Sequence, residues 1–279
     1  MPEKRAQGIF ISEHQQTFKW LGNSDYLAYR VMDGLVPDAK YQEWIPEVIK
    51  SPRRIAVHNF RNHKTAIEQF DAFKNMYGRE AHCIAGDYED TYTAMSDRSA
   101  KQYEMLLDMF AEEYQVPIIS YSNASTYANH LNPLTTILSR HGLWIVRFAP
   151  DGADINTAQP KLDYYGIVYA TGWEFWQFGW KGFGPDYGAG SDNICLDVFN
   201  GTVQQLDDFL RISVPEPQPD DIVKRVDKLE FLYQELNTDL EELSLNFAAH
   251  RAADRIVEEK IWEQIANLKS KSHKHWWMK

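Results

Sequence analysis

A chain of 279 residues, 44% hydrophobic and 14% aromatic, carries enough apolar material for one large α/β domain with an appendage, or for two modest domains. Its formal net charge of −11 argues against general electrostatic attraction to nucleic acid or to an anionic surface. The only cysteines, Cys83 and Cys195, form no CxxC or Cys/His spacing, so no metal site is expected.

The chain opens on MPEKRAQGIF, which lacks the apolar stretch of a secretory signal, and no run approaches the length of a membrane span. Synthesis in the cytoplasm without a signal peptide, and no transmembrane segment, are therefore expected. Residues 8–12 (GIFIS), 25–32 (DYLAYRVM) and 54–60 (RIAVHNF) read as strands, with 38–50 helical between the second and third. An amphipathic helix over 64–76 leads to a fourth strand at 81–86, where Cys83 reads as a buried free thiol. Residues 100–114 place Tyr103, Leu106, Leu107 and Phe110 on one helical face. Further strands are expected at 117–122, 143–148, 165–170 and 173–178, with a helix over 124–139 that Pro133 should kink or divide. About eight apolar strands interleaved with helical patterns argue for a parallel sheet closed into a β/α barrel. The open doubly wound alternative lacks a glycine-rich phosphate loop.

The fourth strand ends in two carboxylates, Asp87 and Glu89, within AHCIAGDYEDT (81–91). Side chains at i and i+2 of a strand share a face. Two carboxyl groups that close cannot both ionise easily, so one pKa tends to rise. A proton-holding acid beside a charged partner suits cleavage of a glycosidic bond; the plainer alternative is a solvated acidic loop. In a barrel the pair would lie at the C-terminal ends of the strands, where sites are built. Tyr121, Trp144 and Trp176 are candidates for stacking on sugar rings, or else core aromatics. His58 could assist at its strand end or be a hydrogen-bonded structural histidine. Asp33 could hold the cleft or cap a turn.

Residues 214–221 (VPEPQPDD) form a Pro-rich acidic linker. From there to the end a seven-residue repeat emerges, with Val226, Tyr233, Leu240, Phe247, Asp254, Ile261 and Leu268 at one seam position. Leu229, Leu236, Leu243, His250, Val257 and Gln264 occupy the other. About six heptads signal a coiled coil, roughly 60–70 Å long if straight. Self-association through 222–268, or binding to a structural partner, is the expectation, with a helix folded back on the barrel as the alternative. His250 and Asp254 either fix register or mark a bend. The basic-aromatic tail KSKSHKHWWMK is either solvated or a contact element. The expected organisation is thus a barrel over 1–213, a linker over 214–221 and a helical assembly segment over 222–279.

These segments, in this order, resemble the Chalaropsis-type lysozymes, glycoside hydrolase family 25, over about residues 8–205. GIFIS followed by Glu13-His14 is similar to the family's opening strand, VHNF (57–60) to its YHF segment, and GDYED (86–90) to its DxE motif. ISYSN (119–123), LWIVRF (143–148), WEFWQF (173–178) and LDVFNG (196–201) are similar to its later segments. The resemblance implies a peptidoglycan substrate and hydrolysis of the bond from N-acetylmuramic acid to N-acetylglucosamine, with no cofactor. It implies Glu89 as general acid and Asp87 as stabiliser of positive charge or orienter of the substrate's acetamido group. Asp33 matches an acidic position after the second strand.

Two departures stand out. Phe10 occupies the place of an acid on the family's first strand, and Cys195 aligns with an acid of its closing segment. Glu13 and Asp192 lie near in sequence, but a three-residue offset turns a strand side chain to the other face. Two readings follow. One is a wall hydrolase, a phage lysin or a virion-attached enzyme, acting at the bacterial cell wall. The other is a structural or glycan-binding protein of a phage-like particle that keeps the barrel without the catalysis.

Overall fold

The computed structural model describes residues 3–89, 96–131, 140–150, 152–160, 173–179 and 182–212, and the isolated residues 260, 263 and 264. Nine strands form one sheet: β1 (Gln7–Ile11), β2 (Tyr26–Asp33), β3 (Val36–Pro37), β4 (Arg54–Asn59), β5 (Cys83–Asp87), β6 (Ile118–Asn123), β7 (Gly142–Val146), β8 (Phe175–Gly179) and β9 (Cys195–Phe199). The order is β1-β9-β8-β7-β6-β5-β4-β2-β3, and β1 also pairs with β2. That last pairing closes eight strands into a barrel and leaves the two-residue β3 as an appendage on β2.

Strands β1, β2, β4, β5, β6, β7 and β8 run parallel. β9 runs antiparallel to both of its neighbours, β8 and β1. An all-parallel sheet is therefore not what forms. The expected strand at 165–170 lies outside the described residues, and Cys195–Phe199 completes the barrel. Its apolar run is broken by an inward acid, Asp197, which hid it from a reading based on hydrophobic runs. Because β9 is reversed, its first residue lies at the same end of the barrel as the last residues of the parallel strands.

The barrel separates two cores by the period-2 alternation of its strands. Inside lie Tyr26, Ala28, Ile55, Val57, Cys83, Ala85, Ile119, Tyr121, Trp144 and Phe175. The intervening residues face the helices. Helices α1 (Tyr41–Val48), α2 (Ala66–Met76) and α3 (Asp97–Tyr114) cover that outer face. α2 and α3 begin at reciprocal capping boxes, Thr65 with Glu68 and Ser96 with Ser99, which satisfy amides the helix leaves open. The predicted α3 face is buried: Tyr103, Leu106, Leu107 and Phe110 are inaccessible.

α3 packs closely on β5 because Gly86 has no side chain. A Cβ there would lie 2.6 Å from Leu107 Cδ2. In its place the Tyr103 hydroxyl donates to the Gly86 carbonyl at 2.6 Å. Of the expected helix over 124–139, a helical turn at Ala124–Thr126 continuing into Tyr127–Leu131 is described. The expected coiled coil over 222–268 lies outside the described residues except at 260, 263 and 264. Among the described residues no helix is long and apolar enough to cross a membrane.

Candidate active site

β5 sends Cys83 and Ala85 into the barrel core, and the same alternation turns Asp87 inward at its C-terminal end. In register, Asp87 lies between Asn59 of β4 and Tyr121 of β6. Its carboxyl is 7% exposed, and Oδ1 has no hydrogen-bond partner among the described residues. Glu89, two residues on, is half-buried. Burial drives the Asp87 carboxyl well above the usual carboxylate range, and the neighbouring Glu89 charge adds to this. Arg30 and Arg61 oppose the rise, and Asp33 adds to it. Burial also raises Glu89, against hydrogen bonds from the side chain and backbone N–H of Asn123. Both carboxyls are thus biased toward their protonated forms, Asp87 partly by the Glu89 charge.

The floor beneath the pair is aromatic. Phe10 lies edge-on to Tyr121 at a centroid distance of 6.1 Å and tilted against Trp144 at 6.3 Å. Tyr121 is edge-on to Trp144 at 5.1 Å and donates its hydroxyl to Gln177 Oε1 at 2.7 Å. Cys195 is the register partner of Phe10 across β1–β9. It is a free, half-buried thiol, held protonated by burial and by the charges of Asp197, Glu89 and Asp87. Asp197, wholly buried, accepts from Trp144 Nε1 at 3.1 Å. Its Oδ2 has no partner among the described residues, and burial raises its pKa well above the ordinary value.

Charged residues form one rim of the mouth. Arg61 grips Asp33 side-on, Nε donating to Oδ1 and Nη2 to Oδ2 at 2.6 Å. Arg30, 7% exposed, ion-pairs with Glu13 at 2.7 Å and with the buried Asp38 at 2.8 Å. Both arginines thus place positive charge near Asp87 while being neutralised by acids of their own.

Several expected site residues lie elsewhere. His58 does not reach the mouth. It faces the helix layer, wholly buried, 5.7 Å from the Phe73 ring and 5.8 Å from Phe110. Its Nε2 lies 3.3 Å from Gln69 Oε1, and burial lowers its pKa to about 4. Odd-numbered Val57 and Asn59 share the inward face of β4; even-numbered His58 cannot. Trp176 is likewise on the outer face, beside Trp173 at 5.9 Å, with its indole N–H on the Arg147 carbonyl. Trp144 and Tyr121 do face inward, but as buried floor rather than as open stacking surfaces. Asp33 is at the mouth, tied to Arg61. Of the nearby acids, Glu13 is engaged by Arg30 and Asp192 is exposed at the surface.

Sequence reasoning passed over Arg30, Asn123, Gln177 and Asp197, all inward or at the mouth. Each lies two residues beyond a position that the structure turns inward, Ala28, Tyr121, Phe175 or Cys195. That spacing was the available signal. Among the described residues no group of three His, Cys, Asp or Glu side chains is placed to hold a metal ion. What the arrangement can do is hold one proton between two carboxyls in a poorly solvated mouth, with an apolar floor to keep that proton bound.

No family model and no curated protein sequence matches the chain. Solved structures do. The bacterial lysozyme from Streptomyces coelicolor superposes with a TM-score of 0.60 at 17% identity, covering 75% of this chain and 99% of that one. A family 25 glycosyl hydrolase from Bacillus anthracis gives 0.59 at 16% identity, covering 74% and 94%. The catalytic domain of the endolysin ply40 from bacteriophage P40 of Listeria monocytogenes gives 0.56 at 16%, covering 74% and 97%. At these identities the likeness shows a shared fold, that of the family 25 lysozymes.

Proposed function

We propose that the barrel is a muramidase-like peptidoglycan hydrolase, cleaving the bond from N-acetylmuramic acid to N-acetylglucosamine. The single observation that supports this reading is the Asp87/Glu89 pair at and just beyond the end of β5, where burial raises both carboxyls and the Glu89 charge raises Asp87 further. Glu89, the more exposed of the two, protonates the leaving oxygen. Asp87, as a carboxylate, stabilises positive charge at the reacting carbon or orients the acetamido group; a water then bonds to that carbon and returns a proton to Glu89. General-acid catalysis of this kind contributes about 10²–10⁴-fold. Arg61 holds Asp33 at the rim, and Arg30 and Arg61 temper the rise of the Asp87 pKa. The reaction as written uses no cofactor.

The test is lysis of purified peptidoglycan, followed by turbidity or zymogram, for wild type and Glu89→Gln. Lysis by wild type that disappears in Glu89→Gln supports the proposal; a folded wild type without lysis removes it.

A second reading has its own observation. Phe10 and Cys195 meet across one ladder where the family resemblance leads one to expect acids, so half of a four-acid cleft is replaced at one spot. This favours a glycan-binding or structural barrel of a phage-like particle. In either case we place the protein's action at the bacterial cell wall, as a lysin or within a virion. Residues 222–268 then act as the assembly handle, joined to a barrel over 1–213 by the linker 214–221. Light scattering on a chain ending at Ser213 tests that handle: an unchanged oligomeric state removes it.

A further inference from the structure

The turn between β4 and α2 carries His63 and Lys64, and the first turn of α3 carries Arg98. Together they border a depression of about 290 Å³ whose other walls include Thr65, Ser96 and Gln102. No carboxylate lines it among the described residues, although the chain carries 40 acidic against 29 basic residues. No ion pair joins Lys64 or Arg98 to an acid among the described residues, in contrast to Arg30, Arg53 and Arg61. The capping boxes occupy the N-cap and third amides of both helix starts, and Lys64 and Arg98, with the His63 ring beside them, are the side chains that remain to meet an anionic ligand.

The cations are set on a fixed frame. Gln69, wholly buried, accepts from Arg61 N at 2.8 Å and donates to the Arg61 carbonyl at 3.2 Å and the Lys64 carbonyl at 3.4 Å. Gln102 of α3 accepts from Ala66 N at 2.9 Å, tying the start of α2 to α3. The backbone that carries Lys64 is thereby held against α3, which carries Arg98, before any ligand arrives. A second depression of about 380 Å³ shares His63 and Lys64 and is otherwise bordered by rim residues including Asp33, Asp38, Glu13 and Arg61. The basic hollow therefore adjoins the depression at the Asp33–Arg61 rim.

We propose that the His63–Lys64–Arg98 depression is a subsite for an anionic group of the wall polymer, a carboxylate or phosphate carried alongside the glycan strand being held at the mouth. The inference rests on the wall-polymer reading above and assigns that polymer's charged substituents to a particular place. Guanidinium and ammonium donors recognise either oxyanion, and attraction at such a partly exposed site weakens with salt.

The test uses the full chain in a Glu89→Gln background, so that the polymer is not consumed during binding. Co-sedimentation is measured with untreated walls, with walls stripped of phosphate polymers by hydrofluoric acid, and with soluble chitohexaose by calorimetry. Lys64→Ala/Arg98→Ala is expected to bind untreated walls about tenfold more weakly, about 1.4 kcal/mol, with a shallower salt dependence and unchanged affinity for neutral chitohexaose. The charge-keeping pair Lys64→Arg/Arg98→Lys should bind as its parent does. Loss of the variant's deficit on stripped walls identifies phosphate; persistence identifies carboxylate. Equal wall binding by parent and double alanine variant, or no wall binding by the parent, overturns the proposal. A separate lysis assay with Glu89 intact distinguishes the two ideas: wall binding that depends on the cations without lysis keeps this subsite and removes the catalytic reading. Lysis with unaltered binding does the reverse.

Discussion

Phe10 and Cys195 stand opposite one another across the antiparallel β1–β9 ladder, at the end of the barrel where Asp87 and Glu89 also lie. The pair turns one side of the mouth apolar and leaves the acids on the other. A carboxyl facing a phenyl ring and a thiol is less well solvated than one facing further acids and water, so its proton is harder to remove.

Replacing Phe10 by Asp is expected to lower stability, because the ring packs on Tyr121 and Trp144. For a half-buried phenyl the loss should be about 2–4 kcal/mol, read from the urea midpoint. Under the hydrolase proposal the same variant should lyse peptidoglycan faster per folded molecule, since it returns a hydrogen-bonding acid to the sugar site. A slower rate would show that Phe10 is part of a working cleft.

The pH profile of lysis reports the pair. Burial raises both carboxyls, and the Glu89 charge raises Asp87 further, so the alkaline limb, set by loss of the pair's last proton, should lie above that of an ordinary Glu near 4.3. Asp87→Asn removes the neighbouring negative charge, so the limb of the residual activity should move to lower pH. A limb that stays in place means the two groups do not share a proton.

Asp197 should make folding stability depend on pH. Its folded-state pKa is raised by burial above an unfolded value of about 3.9. The folded chain then keeps a proton that the unfolded chain has released, and stability falls as pH climbs from about 4 toward the raised value, by up to about 1.4 kcal/mol per pH unit. Asp197→Asn removes this dependence while keeping an acceptor for Trp144 Nε1. The variant's Tm should therefore gain on wild type between pH 4 and pH 7 in scanning calorimetry. Parallel profiles would count against a buried, proton-holding Asp197.

Gly86→Ala tests the contact that sets Asp87. The added Cβ would come within 2.6 Å of Leu107 Cδ2 and 3.0 Å of Tyr103 Cε2, so those buried side chains, or α3 with them, must move. A loss of about 1–3 kcal/mol is expected from overpacking, together with reduced lysis because Asp87 is the next residue. Full stability in chemical denaturation would mean that α3 yields freely.

Much of the barrel was legible because its signals are local. Apolar runs marked β1, β2 and β4 to β8, and helical spacing picked out the buried face of α3. β9 was legible only as a closing segment, since an acid interrupts its apolar pattern. Its direction depends on which strands it pairs with, and pairing is a long-range fact. His58 and Trp176 illustrate a different gap: each lies in a correctly placed strand, yet on its helix-facing side.

What the amino-acid order determined by itself was relative: which stretches extend, which coil, and that Asp87 and Glu89 share a side. Alternation along a strand relates i to i+2, but it carries no information about which of the two sides becomes the inside. Closing β1 onto β2 decided that, putting Phe10, Asp87, Tyr121 and Asp197 inward and His58 and Trp176 outward. Reversing β9 decided the rest, because only an antiparallel strand brings its first residue, Cys195, to the mouth beside Phe10.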